Sequence, residues 1–394
     1  MTRWAVTDYT AASALGVGRA EMLRSLREGR SGLQHKHFET ATLDTWVGEA
    51  PGVDDVALPA ELADFDCRNN RLAWLGLQAD DFAASVARAK QRHGAQRIGV
   101  FLGTSTSGIL STEQAYRRRD AATGALPPDF RYEETHSTGS VASFVRKALG
   151  LGGPAFVIST ACSSGAKAFG NAARMLQLGL IDAAVVGGVD SLCMTTLYGF
   201  NSLELLSPDV CRPWDAERRG LSLGEAAAFA LLERDAAQAV AWLLGVGESS
   251  DGHHMSSPHP EGLGAAEAMR AALAQAGLSP QQVGYLNLHG TATNNNDAAE
   301  DLAVRSVFGA QLPCSSTKGY TGHTLGAAGG LEAAVSLLAL QQGFMPGGAN
   351  LRTQDPALQA HYLREPRETA LQAVASNSFG FGGSNACLVF GAAR

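Results

Sequence analysis

Residues 153–166, Gly-Pro-Ala-Phe-Val-Ile-Ser-Thr-Ala-Cys-Ser-Ser-Gly-Ala, set the tightest limit on what this chain can fold into. A short β-branched and aromatic run gives way to a block of very small residues with Cys162 in its middle. Residues 167–178 then carry apolar side chains at helical spacing. The pattern predicts a strand, a tight elbow and a helix opening at Cys162. A thiol there faces unpaired N–H groups and the positive end of the helix dipole, and both favour thiolate. Small neighbours leave space above the sulfur for an approaching carbonyl. The plainer reading is a buried structural cysteine. The choice turns on whether the rest of the chain supplies partners for that sulfur.

Along the chain, apolar runs alternate with amphipathic segments. Buried strands are predicted at residues 97–103, 182–190, 225–233, 239–250 and 284–289, with closing strands at 373–377 and 386–390. Between them lie helical patterns at 19–28, 141–149, 264–276, 297–308 and 325–342, and one long amphipathic helix over 71–92. Residues 104–137 read as a polar surface excursion. This alternation implies an α/β protein with mostly parallel pairing. The unit from Leu312 repeats the plan of the Cys162 unit: strand, small-residue elbow, Ala-rich helix, then a glycine pair at Gly347-Gly348. Two similar halves are expected, residues 1–250 and 251–394.

Composition excludes several classes. A net charge of −7 over 394 residues argues against nucleic acid as a partner of the whole surface. Cysteines at 67, 162, 193, 211, 314 and 387 include no C-x-x-C pair, which in a chain this long points to free thiols in a reducing compartment. The N-terminus lacks the apolar core of a signal peptide, and no run of about 18 apolar residues exists to span a membrane. The expected location is the cytoplasm.

Four small-residue loops each present one reactive or aromatic group at a strand end: Cys162, His289, His323 and Phe381. Carboxyl ends of strands are where ligands gather in open α/β folds. Taken singly, each histidine reads as a turn residue and Phe381 as a core ring; four such loops together are hard to explain by packing. The motifs are Thr160-Ala-Cys-Ser-Ser164, His289-Gly-Thr-Ala-Thr-Asn-Asn-Asn-Asp297, Lys318-Gly-Tyr-Thr-Gly-His-Thr-Leu-Gly-Ala-Ala328 and Ser376-Asn-Ser-Phe-Gly-Phe-Gly-Gly-Ser-Asn385. In this order they resemble the β-ketoacyl-acyl carrier protein synthases, decarboxylating condensing enzymes of the thiolase-like superfamily. The resemblance implies a thiolase-like fold of αβαβα layers and an acyltransferase.

It also implies roles. Cys162 would take an acyl group from a thioester. The backbone N–H groups of Cys162 and Phe381 would form an oxyanion hole, Phe381 also gating the acyl pocket. His289 and His323 would donate N–H to the enolate left when a malonyl thioester loses CO2. Lys318 matches a supporting lysine, Thr291 and Thr293 match contacts to a phosphopantetheine arm, and Asp297 and Glu332 match supporting positions. Asn287, Glu300, Glu332, Ser376 and Asn377 match oxygen-rich positions that hold a monovalent cation in relatives; a hydrogen-bonded network without an ion fits them equally. No tightly bound cofactor is implied. The segment Asp251-Gly-His-His-Met-Ser-Ser-Pro-His259 fits no zinc spacing and reads as a loop by the pantetheine entrance. Ala292 stands where glycine is frequent, a departure expected to be harmless. Cys67-Arg-Asn-Asn-Arg-Leu72 with Gly103-Thr-Ser-Thr-Ser-Gly108 resembles synthases of aryl-polyene pathways more than housekeeping fatty-acid enzymes.

Two rivals bear weighing. A chain-length factor shares such a fold but lacks the nucleophile, which Cys162 and both histidines oppose. A thiolase-like or hydrolytic enzyme would use Cys and His as nucleophile and base; thiolases place a second cysteine in the C-terminal half, whereas the glycine loop here offers Phe381 and no cysteine until Cys387. The implied partners are an acidic carrier protein, with Arg68, Arg71 and Arg131 as candidate contacts, and a second subunit. That subunit is either a copy of the chain or a chain-length-factor homologue.

Overall fold

The computed structural model describes residues 3–234 and 238–393. Its main sheet holds Trp4–Ser13 (β1), Ile98–Gly103 (β2), Ala155–Ile158 (β3), Ala183–Asp190 (β4), Ala226–Glu233 (β5), Ala241–Ser250 (β6), Tyr285–Asn287 (β7), Cys314–Ser315 (β8), Ala373–Gly380 (β9) and Ser384–Ala392 (β10). Their order is β8-β7-β9-β10-β6-β1-β5-β4-β2-β3. Counted outward from the β1–β6 junction, each set of five runs first, fifth, fourth, second, third. Pairing senses match too: antiparallel, antiparallel, parallel, parallel on either side. The duplication read from two elbows therefore extends to the whole topology. The sets join antiparallel through β1 and β6 into one sheet, and strand order places residues 241–250 with the second set.

Among the described residues, ten helices of nine residues or more pack on this frame: Arg19–Arg27 (α1), Arg68–Gln78 (α2), Phe82–His93 (α3), Ile109–Arg117 (α4), Ser140–Ala148 (α5), Ser164–Gln177 (α6), Met194–Ser202 (α7), Leu263–Ala276 (α8), Asn294–Phe308 (α9) and Ala328–Gln342 (α10). Helices α6 and α10 touch each other and strands of both sets, so they form the central layer. Helices α2, α3 and α5 cover one outer face, and α8 with α9 the other. The result is the expected α/β fold in αβαβα layers. Its central position explains why residues 328–340 are buried all round the helix and apolar almost throughout. The two central helices meet at backbone distance: a Cβ on Gly165 would lie 2.7 Å from Gly330 N.

Three local expectations fail. The helix over 71–92 is broken, because Asp80 and Asp81 take φ of +56° and +57°. Asp80 accepts from the Arg19 N–H at 2.9 Å and from Thr10 Oγ1 at 2.9 Å, so its carboxylate serves the start of α1 instead of continuing a helix. Residues 104–137 are a surface excursion only in part, since Thr104, Thr106 and Ser107 are buried beneath it. Gly347-Gly348 lies in the loop after the two-residue strand Phe344–Met345, while the equivalent of β4 is β9. The glycine pair is no part of the repeat.

Candidate active site

Strand β3 ends in an elbow knitted by its own hydroxyls. Ser164 Oγ donates to the Ala161 carbonyl at 2.5 Å and accepts the Thr160 N–H at 2.9 Å. Ser163 Oγ reaches the Thr160 carbonyl at 2.9 Å. Ala161 is forced to φ +52°, a strained setting for alanine that lifts Cys162 ahead of α6. The glycine loop between β9 and β10 closes on this elbow. A Cβ on Gly380 would lie 2.6 Å from the Thr160 carbonyl oxygen, so only glycine permits the approach. The Phe381 N–H is thereby aimed at the thiol.

The thiol is not the thiolate expected of a helix N-terminus. Burial pushes it up to about 12, and the opposing pull of Lys318 and of the Phe381 N–H only partly offsets this. Helix α6 begins two residues beyond Cys162, and Cys162 itself is buried. Desolvation wins over the dipole.

Both histidines lie in the same cavity as Cys162, a space of about 470 Å³ also lined by Phe200, Phe381, Thr291 and Thr293. Their rings meet edge to face with centroids 5.3 Å apart. The loop carrying His289 turns because the N–H groups of His289 and Gly290 donate to the Glu300 carboxyl at 2.8 and 2.7 Å. His323 is pinned through its own N–H to the Ser222 carbonyl at 2.8 Å. Each ring has one nitrogen committed. Lys318 Nζ stands 3.3 Å from His289 Nδ1, and the Leu325 N–H donates to His323 Nδ1 at 3.2 Å. A nitrogen that accepts carries no proton, so both rings are Nε2–H tautomers. Burial first, then the Lys318 charge, hold both well below the ordinary imidazole range. Two neutral N–H donors share one cavity with the thiol.

Lys318 is fully buried, donates to the His289 carbonyl at 2.5 Å and pairs with Glu332. Burial raises Glu332 to about 7 against the pull of that lysine. Thr291 and Thr293 share a hydrogen bond of 2.9 Å at the cavity wall. Asp297 lies behind them and accepts from Trp214 N at 3.1 Å and Ala292 N at 3.2 Å, clasping two loops together. Ala292 sits buried at φ +65°, so its replacement of glycine carries strain and is not harmless. Asn287, Glu300, Ser376 and Asn377 gather under the His289 loop. Asn287 and Ser376 are partners in register, and Asn377 donates to Glu300 at 3.1 Å. Burial raises Glu300 to about 7. Among the described residues, Asn287 Oδ1, Ser376 Oγ, Asn377 Oδ1 and Glu332 Oε2 are buried without partners.

Other placements differ from the sequence reading. Arg68 is no docking residue: its side chain is 8% exposed and its guanidinium is bound to Glu225 at 2.7 Å. Arg71 is held by Asp66 at 2.5 Å, leaving Arg131, 3.8 Å from Asp64, as the freest of the three. In the 251–259 loop the His253 and His259 rings lie 5.1 Å apart, and the Asp251 carboxylate accepts from His259 N and Asn385 Nδ2. Among the described residues, no three of His, Cys, Asp or Glu form a metal-binding group. Sequence reasoning missed Phe200, stacked on Phe381 at 5.6 Å, and Phe379, 5.6 Å from His289. It also missed Asp190, although an acid closing a buried strand was a visible signal.

A buried thiol on an elbow, facing two neutral imidazoles across a duplicated αβαβα fold, defines a condensing acyltransferase of thiolase-like architecture. Residues 2–238 match the family described as Beta-ketoacyl synthase, N-terminal domain, and residues 240–352 match Beta-ketoacyl synthase, C-terminal domain. The chain therefore belongs to the β-ketoacyl synthase family. It is 34% identical over 403 residues to Nodulation protein E of Rhizobium meliloti (strain 1021), covering 98% of both chains. It is 32% identical to 3-oxoacyl-[acyl-carrier-protein] synthase 2 of Coxiella burnetii, again over 98% of each. Among solved structures, the ketosynthase ApeO in complex with its chain length factor ApeC from Xenorhabdus doucetiae matches with a TM-score of 0.91 and 37% identity. That match covers 100% of this chain and 98% of the other.

Proposed function

We propose that the chain is a β-ketoacyl-acyl carrier protein synthase acting in polyketide or aryl-polyene assembly, with Cys162 as its acyl-accepting nucleophile. The observation that carries this is the pair of neutral Nε2–H imidazoles sharing one cavity with that thiol. In the first half-reaction Cys162 Sγ attacks the thioester carbonyl of an acyl carrier protein, and the proton leaving Sγ ends on the departing carrier thiol. The N–H groups of Cys162 and Phe381 receive the oxyanion. Phe381, stacked on Phe200, must shift as the acyl chain fills the pocket.

In the second half-reaction a malonyl thioester enters past Thr291 and Thr293, which contact the phosphopantetheine arm. Loss of CO2 leaves an electron pair delocalised onto the thioester oxygen. Two uncharged donors stabilise that developing charge without having protonated the group beforehand. The carbanion attacks the acyl–Cys162 carbonyl, Sγ leaves and takes up a proton, and the β-ketoacyl thioester departs. Burial, helped by the Lys318 charge, keeps both imidazoles neutral, and Lys318 with Glu332 fixes the His289 loop. The partnerless oxygens of Asn287, Ser376 and Asn377 beside Glu300 suit a monovalent cation, which would stiffen the same loop when bound.

The partner subunit joins through β3. This strand is one edge of the sheet, and Phe156 on it is 55% exposed, a combination suited to strand addition. The resemblance to ApeO in its complex with ApeC, and to the ishigamide ketosynthase/chain length factor at a TM-score of 0.90 and 27% identity, favours a chain-length-factor homologue there over a second copy. Among the described residues no helix is long and apolar enough to cross a membrane. All six cysteines are free, which supports a cytoplasmic location.

The test is incubation with labelled acyl carrier protein and then malonyl carrier protein. Mass of the acyl adduct on Cys162 and malonyl-dependent CO2 release are both expected. A folded protein, alone or with its partner subunit, that gains no adduct would return the chain to the non-catalytic chain-length-factor reading.

A further inference from the structure

Strand β4 ends in Asp190, which is fully buried and does not line the cavity. Its two carboxyl oxygens collect an unusual number of donors. Oδ1 accepts from Thr104 Oγ1 at 2.5 Å, Thr106 Oγ1 at 2.8 Å and Thr106 N at 2.9 Å. Ser105 N reaches both oxygens, at 2.9 and 3.0 Å. Oδ2 also accepts Ser105 Oγ at 2.6 Å and Gly326 N at 2.5 Å. The first donors belong to the loop after β2 in the first half; Gly326 belongs to the His323 elbow in the second.

The contact to Gly326 matters because of what precedes it. Leu325, held at φ +53°, is the residue whose N–H fixes the His323 tautomer. A leucine at positive φ relaxes unless its neighbours over-determine it. Gly326 N–H bound to Asp190 is that constraint. The fit admits nothing larger than glycine, since a Cβ on Gly326 would lie 2.7 Å from Asp190 Oδ2 and 2.8 Å from Ser105 N. On the other side, the carbonyl oxygen of Gly326 comes within 2.9 Å of where a Gly165 Cβ would stand, in the first turn after Cys162.

We propose that Asp190 is a positioning residue that holds His323 in its Nε2–H tautomer and sets the spacing of the Cys162 and His323 elbows. The proposal rests on the condensing reaction above, where only the decarboxylation half uses His323. Replacing Asp190 by asparagine keeps shape but turns one acceptor into N–H2. With donors aimed at both oxygens, no amide orientation satisfies all of them. The amide oxygen stays with the threonine side, which has more donors, and its N–H2 opposes Gly326 N–H. The Leu325 turn relaxes and His323 Nδ1 loses its donor.

The experiment compares wild type with Asp190→Asn in three readings: acyl transfer to Cys162, CO2 release from malonyl carrier protein, and the His323 tautomer by ¹⁵N NMR of the ring. CO2 release should fall about 10-fold or more, a loss of the size seen when the partner that orients a metal-bound histidine is removed. Acyl transfer should change less than about threefold, since it uses no imidazole donor. The wild-type ring should show an unprotonated Nδ1 and the variant a mixture. If Asp190→Asn does not fold, Ser105→Ala removes a neighbouring support for the same turn and should give a smaller shift in the same direction. An unchanged tautomer, or equal losses in both half-reactions, would overturn the proposal. Wild-type protein lacking both half-reactions would instead sink the condensing reading and leave the tautomer measurement standing.

Discussion

The protonation state of Cys162 decides how the proposed nucleophile is protected, and alkylation measures it. With the thiol near 12 against an ordinary value near 9, the thiolate fraction at pH 7.5 is about 3 in 100 000, a thousandfold below that of a free cysteine. Nucleophilicity per thiolate rises with basicity, by about 20-fold over three units, so net alkylation should be roughly 50-fold slower than for a free thiol. The perturbation is pH, and the assay is iodoacetamide labelling of Cys162 followed by peptide mass spectrometry, which separates it from the other cysteines. Labelling should climb about tenfold per pH unit from 7 to 10 with no plateau. The sign follows from a raised value: the neutral thiol persists throughout that range and thiolate grows with every unit. A plateau near pH 7 would show a depressed thiol, and the argument that burial outweighs the helix N-terminus and Lys318 would be wrong. Such a resting thiol is inert until a thioester arrives and supplies a leaving group for its proton.

Cys162→Ala should abolish acyl transfer yet keep CO2 release within about tenfold, because Lys318 and the Leu325 N–H, not the thiol, fix both imidazoles; radiolabelled malonyl carrier protein reports this. His323→Ala should lower CO2 release by about 100-fold or more, the loss for one donor to a developing oxyanion, while leaving the Cys162 adduct measurable by mass. Gly165→Ala should destabilise by about 1–3 kcal/mol in urea titration, since its methyl would meet Gly330 N at 2.7 Å. Ala292→Gly should be neutral or stabilising by up to about 1 kcal/mol, relief of the φ +65° setting outweighing the extra freedom of the unfolded chain; a lower urea midpoint would contradict it.

Much of the molecule is local and therefore legible. Apolar runs such as 98–103 and 183–190 are buried strands because both their faces are covered. The elbows announce themselves because a tight strand-to-helix turn admits only small side chains. Cys162, His289 and His323 could be named from those elbows, and the structure places all three in one cavity.

What the sequence by itself determined was most of the elements, which follow from spacing along the chain, and the side chains that bear chemistry, which follow from motifs resembling those of β-ketoacyl synthases. Tertiary structure decided everything that depends on what surrounds a group. Depth of burial makes Cys162 a thiol where its position before a helix spoke for thiolate. Glu225, distant in sequence, occupies Arg68, and the nearby Asp66 occupies Arg71, two of the three arginines that looked free for docking. Asp80 leaves a well-patterned helix because Arg19 and Thr10, distant in sequence, offer it donors. In the sequence Asp190 is only an acid closing a buried strand; the fold makes it the link between residues 104–106 and Gly326. Solvation and long-range hydrogen bonding act through space, and only the folded chain assigns the neighbours that set them.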